Sequence, residues 1–244
     1  MDSVSFRFSL KFDSTIWKLL VDAYSDRMIL EMRDLDSQSI HFEELKLSTG
    51  APNSFQIKSA DLWTSIVAYQ YPVLLLEQFS DPQNPNSKHL LIYDVALGKM
   101  VRSVEGLQFT LVKNGILYGS DLSTRKESQI DLGLPLSEAA VKMESPVFFS
   151  KDADNAQSIV DYLELESLAL GFEYFEGHNC IIICYYERFG TNFDRTLVLI
   201  RNDEEILRRK IDQGMTGYAP GSFFIYGNML IFIENRNQLN AIEL

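Results

Sequence analysis

The second half of this chain repeats the strand pattern of its first, and that duplication limits the folds open to it. Tyr71 to Gly106 reads as three consecutive antiparallel strands: the apolar run VLLLEQF after Pro72, LLIYD from Leu90, and the more polar KMVRSVE from Lys99. A continuous apolar run is the mark of a strand covered on both faces, and rising polarity places the last strand nearer an edge. Leu62-WTSIVAYQ leads into this stretch. His178 to Asp212 has the same plan: IIICYY, a loop after Gly190, LVLIR, the turn NDEE and the outer strand ILRRKI, with Gly171-FEYFEG leading in.

Shorter units flank both stretches. Arg27-MILEMRDLDSQSIHFEELKL resembles Pro146-VFFSKDADNAQSIVDYLEL, each with an Asp-x-Asp turn followed by Gln-Ser-Ile or Ser-Gln-Ser-Ile. Asn114-GILYGSDLSTRKESQIDL resembles Asn228-MLIFIENRNQLNAIEL. The order short, long, short therefore occurs twice, over about 1–132 and 133–244, as six units of roughly 40 residues, a period that belongs to propellers and solenoids. In this register Ser158 to Leu168 reads as mainly strand, although SIVDYLELESL also has helical periodicity. Leu134 to Met143 fits a strand or a short helix. At the N-terminus, Val4, Phe6, Phe8 and Leu10 alternate with polar residues, as in a half-buried strand.

The strand pattern resembles the β-propeller class, in which blades of four antiparallel strands surround an axis. It looks similar to uncharacterised bacterial propeller-like families. The resemblance implies an all-β, six-unit β-propeller in a single domain, 1–244, with pseudo-two-fold duplication. It also implies that Val4 to Phe12 closes the last blade by pairing near Gln238 to Leu244, which would protect an open edge.

Charge narrows the partners. Thirty-four acidic against 22 basic residues leave a net charge of −12, which disfavours nucleic acids and anionic membranes. No apolar run approaches the ~20 residues of a membrane helix, and MDSVSFRFSLKFDS lacks the form of a signal peptide. The expectation is a cytoplasmic monomer. Cys180 and Cys184 share a strand face roughly 13 Å apart, too far to bridge each other. His41, His89 and His178 are scattered without metal-ligand spacing.

Asp and Asn recur once per unit, at Asp34-Leu35-Asp36, Asp81 to Lys88, Asp121 to Arg125, Asp152 to Asn155, Asn192 to Arg195 and Asn235 to Asn237. Such residues cap turns, and none of these loops has calcium-loop spacing. Trp17 and Trp63 each follow an acid, Asp13 and Asp61, at the start of a unit. They serve either as packing aromatics or as an aromatic-and-acid pocket. The pairs Glu43-Glu44 and Glu204-Glu205 point opposite ways on a strand and are expected to be solvated. Nucleophile and phosphate-loop motifs are absent, so no catalytic residue, metal or cofactor is expected.

These observations point to a non-enzymatic interaction scaffold with an acidic loop face and a basic protein or peptide partner. Its candidate residues are Asp13, Trp17, Asp34, Asp36, Asp61, Trp63, Asp152, Asp154, Asp194 and Asp212. The alternative is a propeller-type hydrolase or lyase with acids at the channel mouth.

Overall fold

The computed structural model describes residues 4–81, 83–84, 87–134, 140–166, 169–217 and 221–244. Among them are twenty-one strands in five antiparallel sheets and one short helix. The chain divides into two compact units, Ser14–Val141 and residues 1–13 with 142–244. The boundary falls some ten residues after the division expected at 132/133. The first strand, β1 (Phe6–Lys11), belongs to the second of these units.

In unit 14–141, the first sheet is β2 (Thr15–Asp22), β3 (Arg27–Asp34), β4 (Ser39–Lys46) and β5 (Ala51–Phe55), paired in chain order. The second is β6 (Thr64–Gln70), β7 (Val73–Phe79), β8 (Lys88–Asp94) and β9 (Lys99–Glu105). The third has only β10 (Leu107–Lys113), β11 (Ile116–Asp121) and β12 (Glu127–Asp131). The apolar run of β7 is covered on both faces, as its composition requires. Leu74 and Leu76 pack with Ile29, Ile40 and Phe42 of the first sheet. Val73 and Leu75 pack with Leu107 and Leu117 of the third. The first strand of every sheet here carries a one-residue register shift, at Ile16/Lys18, Ile66/Ala68 and Phe109/Leu111.

The other unit holds the fourth and fifth sheets. The fourth is β14 (Val147–Ser150), β15 (Gly171–Gly177), β16 (Cys180–Phe189), β17 (Asn192–Arg201) and β18 (Glu204–Met215). The fifth runs β1, β21 (Gln238–Glu243), β20 (Met229–Glu234), β19 (Phe223–Tyr226) and the two-residue β13 (Met143–Glu144). The N-terminal strand pairs with the C-terminal one as expected, with Leu10 opposite Leu239 and Lys11 opposite Gln238. β16 is a second two-faced strand. Cys180, Ile182 and Cys184 pack on the fifth sheet, while Ile183 and Tyr185 face the helix. Both cysteines are free and buried.

The expected fourth unit does not form a sheet of its own. Val147–Ser150 is a strand, but it joins the sheet of the long unit that follows, pairing Phe149 with Phe172. Ser158 to Leu168 is not mainly strand: helix α1 spans Ala156–Tyr162, and residues 167–168 lie outside the described set. The reason is the spacing of the apolar groups. Ala156, Ile159, Val160 and Leu163 fall at i, i+3, i+4 and i+7, a single helical face, and this face covers Phe172, Ile183 and Val198. In unit 14–141 the long sheet lies between two other sheets; here it lies between a sheet and a helix. Residues 135–139 of the ambiguous Leu134 to Met143 segment also lie outside the described set.

Candidate functional site

One end of unit 14–141 gathers five of the expected residues. Trp17 is the extra residue of the β2 bulge, since Ile16 pairs with Met32 and Lys18 with Glu31. A bulge re-aims the side chain it carries, and Trp17 is 52% exposed. The Arg33 guanidinium lies 4.4 Å from its ring centre, within cation–π range.

Arg33 is held from below and from the side. Its Nε donates to Glu31 at 2.8 Å, and its Nη1 and Nη2 donate to the carbonyls of Leu62 and Thr64 at 3.1 and 3.0 Å. Glu31 is fully buried. Its second oxygen accepts from the Ser65 hydroxyl and the Ile66 N–H, each at 2.9 Å. The pair therefore ties β3 to the start of β6, and the carbonyls that Arg33 grips flank Trp63 on both sides.

Trp63 is also 52% exposed. Its backbone N–H donates to the Asp61 carboxylate at 2.9 Å, and the Thr64 hydroxyl donates to the same oxygen at 3.1 Å. The turn after β3 completes this end. Asp34 accepts the N–H groups of Asp36 and Ser37 and the Ser37 hydroxyl, the last at 2.7 Å. The Ser37 hydroxyl, and then the two N–H groups, hold the Asp34 carboxyl below its ordinary value. It is a fixed negative charge at neutral pH rather than a proton donor. Leu35 at the tip is 62% exposed. Exposed Trp17, Leu35 and Trp63 thus stand among Asp34, Asp36 and Asp61.

The remaining expected residues lie in the other unit, and they differ in kind. Asp13, Asp152 and Asp154 are exposed in turns. Asp194 and Asp212 were expected in loops, but Gly190 and Thr191 alone form the turn between Phe189 and Asn192, so both acids sit on strands. Asp194 is buried, accepting from Lys210 Nζ at 2.7 Å and the Gly214 N–H at 2.9 Å, and these donors keep its carboxyl low. Asp212 is buried against Arg195, whose other branch donates to the Ser222 hydroxyl at 3.0 Å. Burial raises the proton affinity of Asp212 against the pull of Arg195. A polar cleft of about 320 Å³ opens beside Asp212, Gly214 and Arg236.

Sequence reasoning missed the residues that build these ends. Glu31 and Arg33 form the clamp in one unit. In the other, Glu173 accepts the N–H groups of Gly221 and Ser222 at 2.7 and 2.9 Å. Each glutamate interrupts a strand whose neighbours are buried, and an acid in that setting must find donors. Glu43 and Glu44 were likewise expected to be solvated, yet both are 5% exposed. Glu44 accepts from the Tyr69 hydroxyl at 2.6 Å and pairs with Arg27 at 3.0 Å, while Glu43 accepts from Ser54. Among the described residues, no group of three or more His, Cys, Asp or Glu side chains is placed to hold a metal ion.

Comparison with known proteins finds one family model that matches part of this unit. Residues 21–101 match a domain of unknown function, DUF4905. The matched stretch runs from the end of β2 into β9 and includes Arg33, Asp34, Asp36, Asp61 and Trp63, while Trp17 falls just outside it. No curated protein matches the chain. Among solved structures, BamB from Moraxella catarrhalis aligns with 11% identity and a TM-score of 0.28, covering 96% of this chain and 74% of that one. Sqt1 from Saccharomyces cerevisiae aligns with 8% identity and a TM-score of 0.28, covering 96% and 73%. Likeness at this level carries no inference about fold or function.

Proposed function

We propose that the chain is a non-enzymatic interaction module that binds a basic peptide or protein segment at the Trp17–Trp63 end of unit 14–141. The observation that carries this reading is the placement of the chain's two tryptophans. Both are half exposed, the Trp17 ring lies against the Arg33 guanidinium that is anchored on the carbonyls either side of Trp63, and Asp34, Asp36 and Asp61 lie in the adjoining turns. Tryptophan and arginine dominate binding energetics at interfaces, and exposed apolar side chains grouped at one place mark interaction sites. The Arg33 charge is matched by buried Glu31, so the surface charge is set by the aspartates and favours a cationic partner.

We further propose a propeller-class arrangement of the sheets, acting as a cytoplasmic monomer. Sheets paired in chain order and the β1–β21 pairing support it. The alternative, a hydrolase or lyase, would centre on Asp212 and its cleft. Arg195 already engages that carboxylate, so the interaction reading is preferred.

Both tryptophans lie at the proposed surface, so intrinsic fluorescence reports on it directly. Titration with a lysine- and arginine-rich peptide should shift the emission and give an affinity that weakens as salt rises. Replacing Asp34, Asp36 and Asp61 with Asn should weaken binding about tenfold, and Trp63→Ala by a similar factor. Unchanged affinity in the aspartate variant would overturn the proposal.

A further inference from the structure

Among the described residues, the third sheet stops one strand short of the first and second, and its last strand, β12, pairs only with β11. Hydrogen bonds run from the Leu132 N–H to the Gly115 carbonyl and from the Asp121 N–H to the Lys126 carbonyl. With Tyr118 opposite Gln129 and no register shift between the strands, the antiparallel alternation turns residues 126, 128, 130 and 132 toward β11. The N–H and C=O groups of Glu127, Gln129 and Asp131 therefore point outward along an edge that no described strand pairs.

Several other sheet ends are defended against added strands. β5 carries Pro52, β13 is two residues long, and the β18 and β9 pairings are broken by register shifts. Proline, brevity and bulges are the usual means of blunting an edge. β12 has none of these: it is five residues, ESQID, paired without a register shift and free of Pro and Gly. Beside it lies a cleft of about 470 Å³, lined in part by Leu111, Tyr118, Glu127 and Gln129. Leu111, Tyr118 and Gln129 form one cross-strand row on the sheet face.

We propose that β12 accepts an extended basic segment of a partner as the fourth strand of the third sheet. Charge selects the occupant. A second copy pairing antiparallel about Gln129 would set Glu127 against Asp131 of the other chain, and like charges directly opposite are destabilising. A partner strand with Lys or Arg two residues either side of an apolar residue meets the opposite situation. Its cations face Glu127 and Asp131, and its central side chain continues the row of Gln129, Tyr118 and Leu111. Main-chain hydrogen bonds supply affinity and the alternating side chains supply specificity.

The test uses the full chain and a capped nine-residue peptide with the core Lys-Thr-Phe-Val-Lys, against a control with Glu in place of both Lys. Binding is read by fluorescence anisotropy of a label on the peptide and by amide hydrogen exchange. The wild-type chain should prefer the lysine peptide, and the amides of Glu127, Gln129 and Asp131 should become protected. Gln129→Pro removes an outward donor without touching the β11 ladder and should weaken binding at least about tenfold. If that variant fails to fold, the pair Glu127→Lys with Asp131→Lys decides: it should reverse the preference toward the glutamate peptide by about tenfold. Absence of binding, absence of protection at those amides, or an unreversed preference would overturn the proposal. Loss of peptide binding in the Trp63→Ala variant would assign it to the tryptophan end instead and equally overturn it.

Discussion

Glu31 and Glu173 perform one task in two places. Each is buried in one sheet and accepts backbone N–H at the start of the next, from Ile66 for Glu31 and from Gly221 and Ser222 for Glu173. Removing such an acceptor strands its donors and, for Glu31, leaves Arg33 without its ion pair. We predict that Glu31→Gln lowers unfolding stability by about 3–5 kcal/mol, the usual cost of breaking a buried pair. Urea denaturation followed by tryptophan emission measures it, and a loss below about 1 kcal/mol would show that the clamp is dispensable. Exposed carboxylates behave differently. The Ser123 hydroxyl, with the Thr124 N–H and hydroxyl, holds Asp121 at about 2. A depressed carboxyl stabilises the fold fully above its ordinary value and loses that contribution as pH falls through its folded value. NMR titration should therefore place the Asp121 midpoint well below those of unpaired aspartates, and Ser123→Ala should raise it. The acids and tryptophans of the candidate site were legible as residue types beside turns. The clamp was not, because a glutamate within a strand shows its partners only once another sheet supplies them.

The two-faced strands β7 and β16 were legible as elements, since a run such as VLLLE or CIIICYY has no solvent face to give a period of two. Pairing partners were less so. VFFS is a strand in sequence and in structure, but nothing local says which sheet it will join. Alignment with an earlier unit favours strand for SIVDYLELESL, whereas the spacing of its own apolar groups favours the helix that forms. Leu163 closes the helix face and is 3% exposed against the fourth sheet. Leu163→Ala should cost about 2–5 kcal/mol, seen as an earlier urea midpoint by circular dichroism. A loss under about 1 kcal/mol would mean that the helix contributes little to covering that face. The N-terminal strand has a comparable position. Deleting residues 1–12 would expose the β21 edge and uncover Phe6 and Val4 contacts with the core of the fifth sheet. Thermal melting should shift downward by several degrees, with aggregation on unfolding. A variant that melts like the intact chain would show β1 to be an accessory strand.

Over the whole molecule, a net charge of −12 at pH 7 sets a background against which every local pair acts. Several carboxylates, Asp34, Asp121, Glu144 and Asp194, are held below their ordinary values by donors. Their contributions are complete above the ordinary carboxylate values and are lost as pH falls through the lowered folded values. Self-repulsion runs the other way, strongest at neutral pH and relieved near the isoelectric point of about 4.7. Salt separates the two effects. The closest pairs, such as Arg33 with Glu31 and Arg195 with Asp212, are buried and little screened, whereas repulsion between exposed acids is cut within a Debye length of about 8–10 Å. Adding salt at pH 7 should therefore raise the melting temperature, and the gain should disappear near pH 4.7. Thermal scans at two salt concentrations and two pH values measure this. A fall in melting temperature with salt at pH 7 would mean that attractive surface pairs, rather than excess negative charge, dominate the long-range electrostatics of this chain.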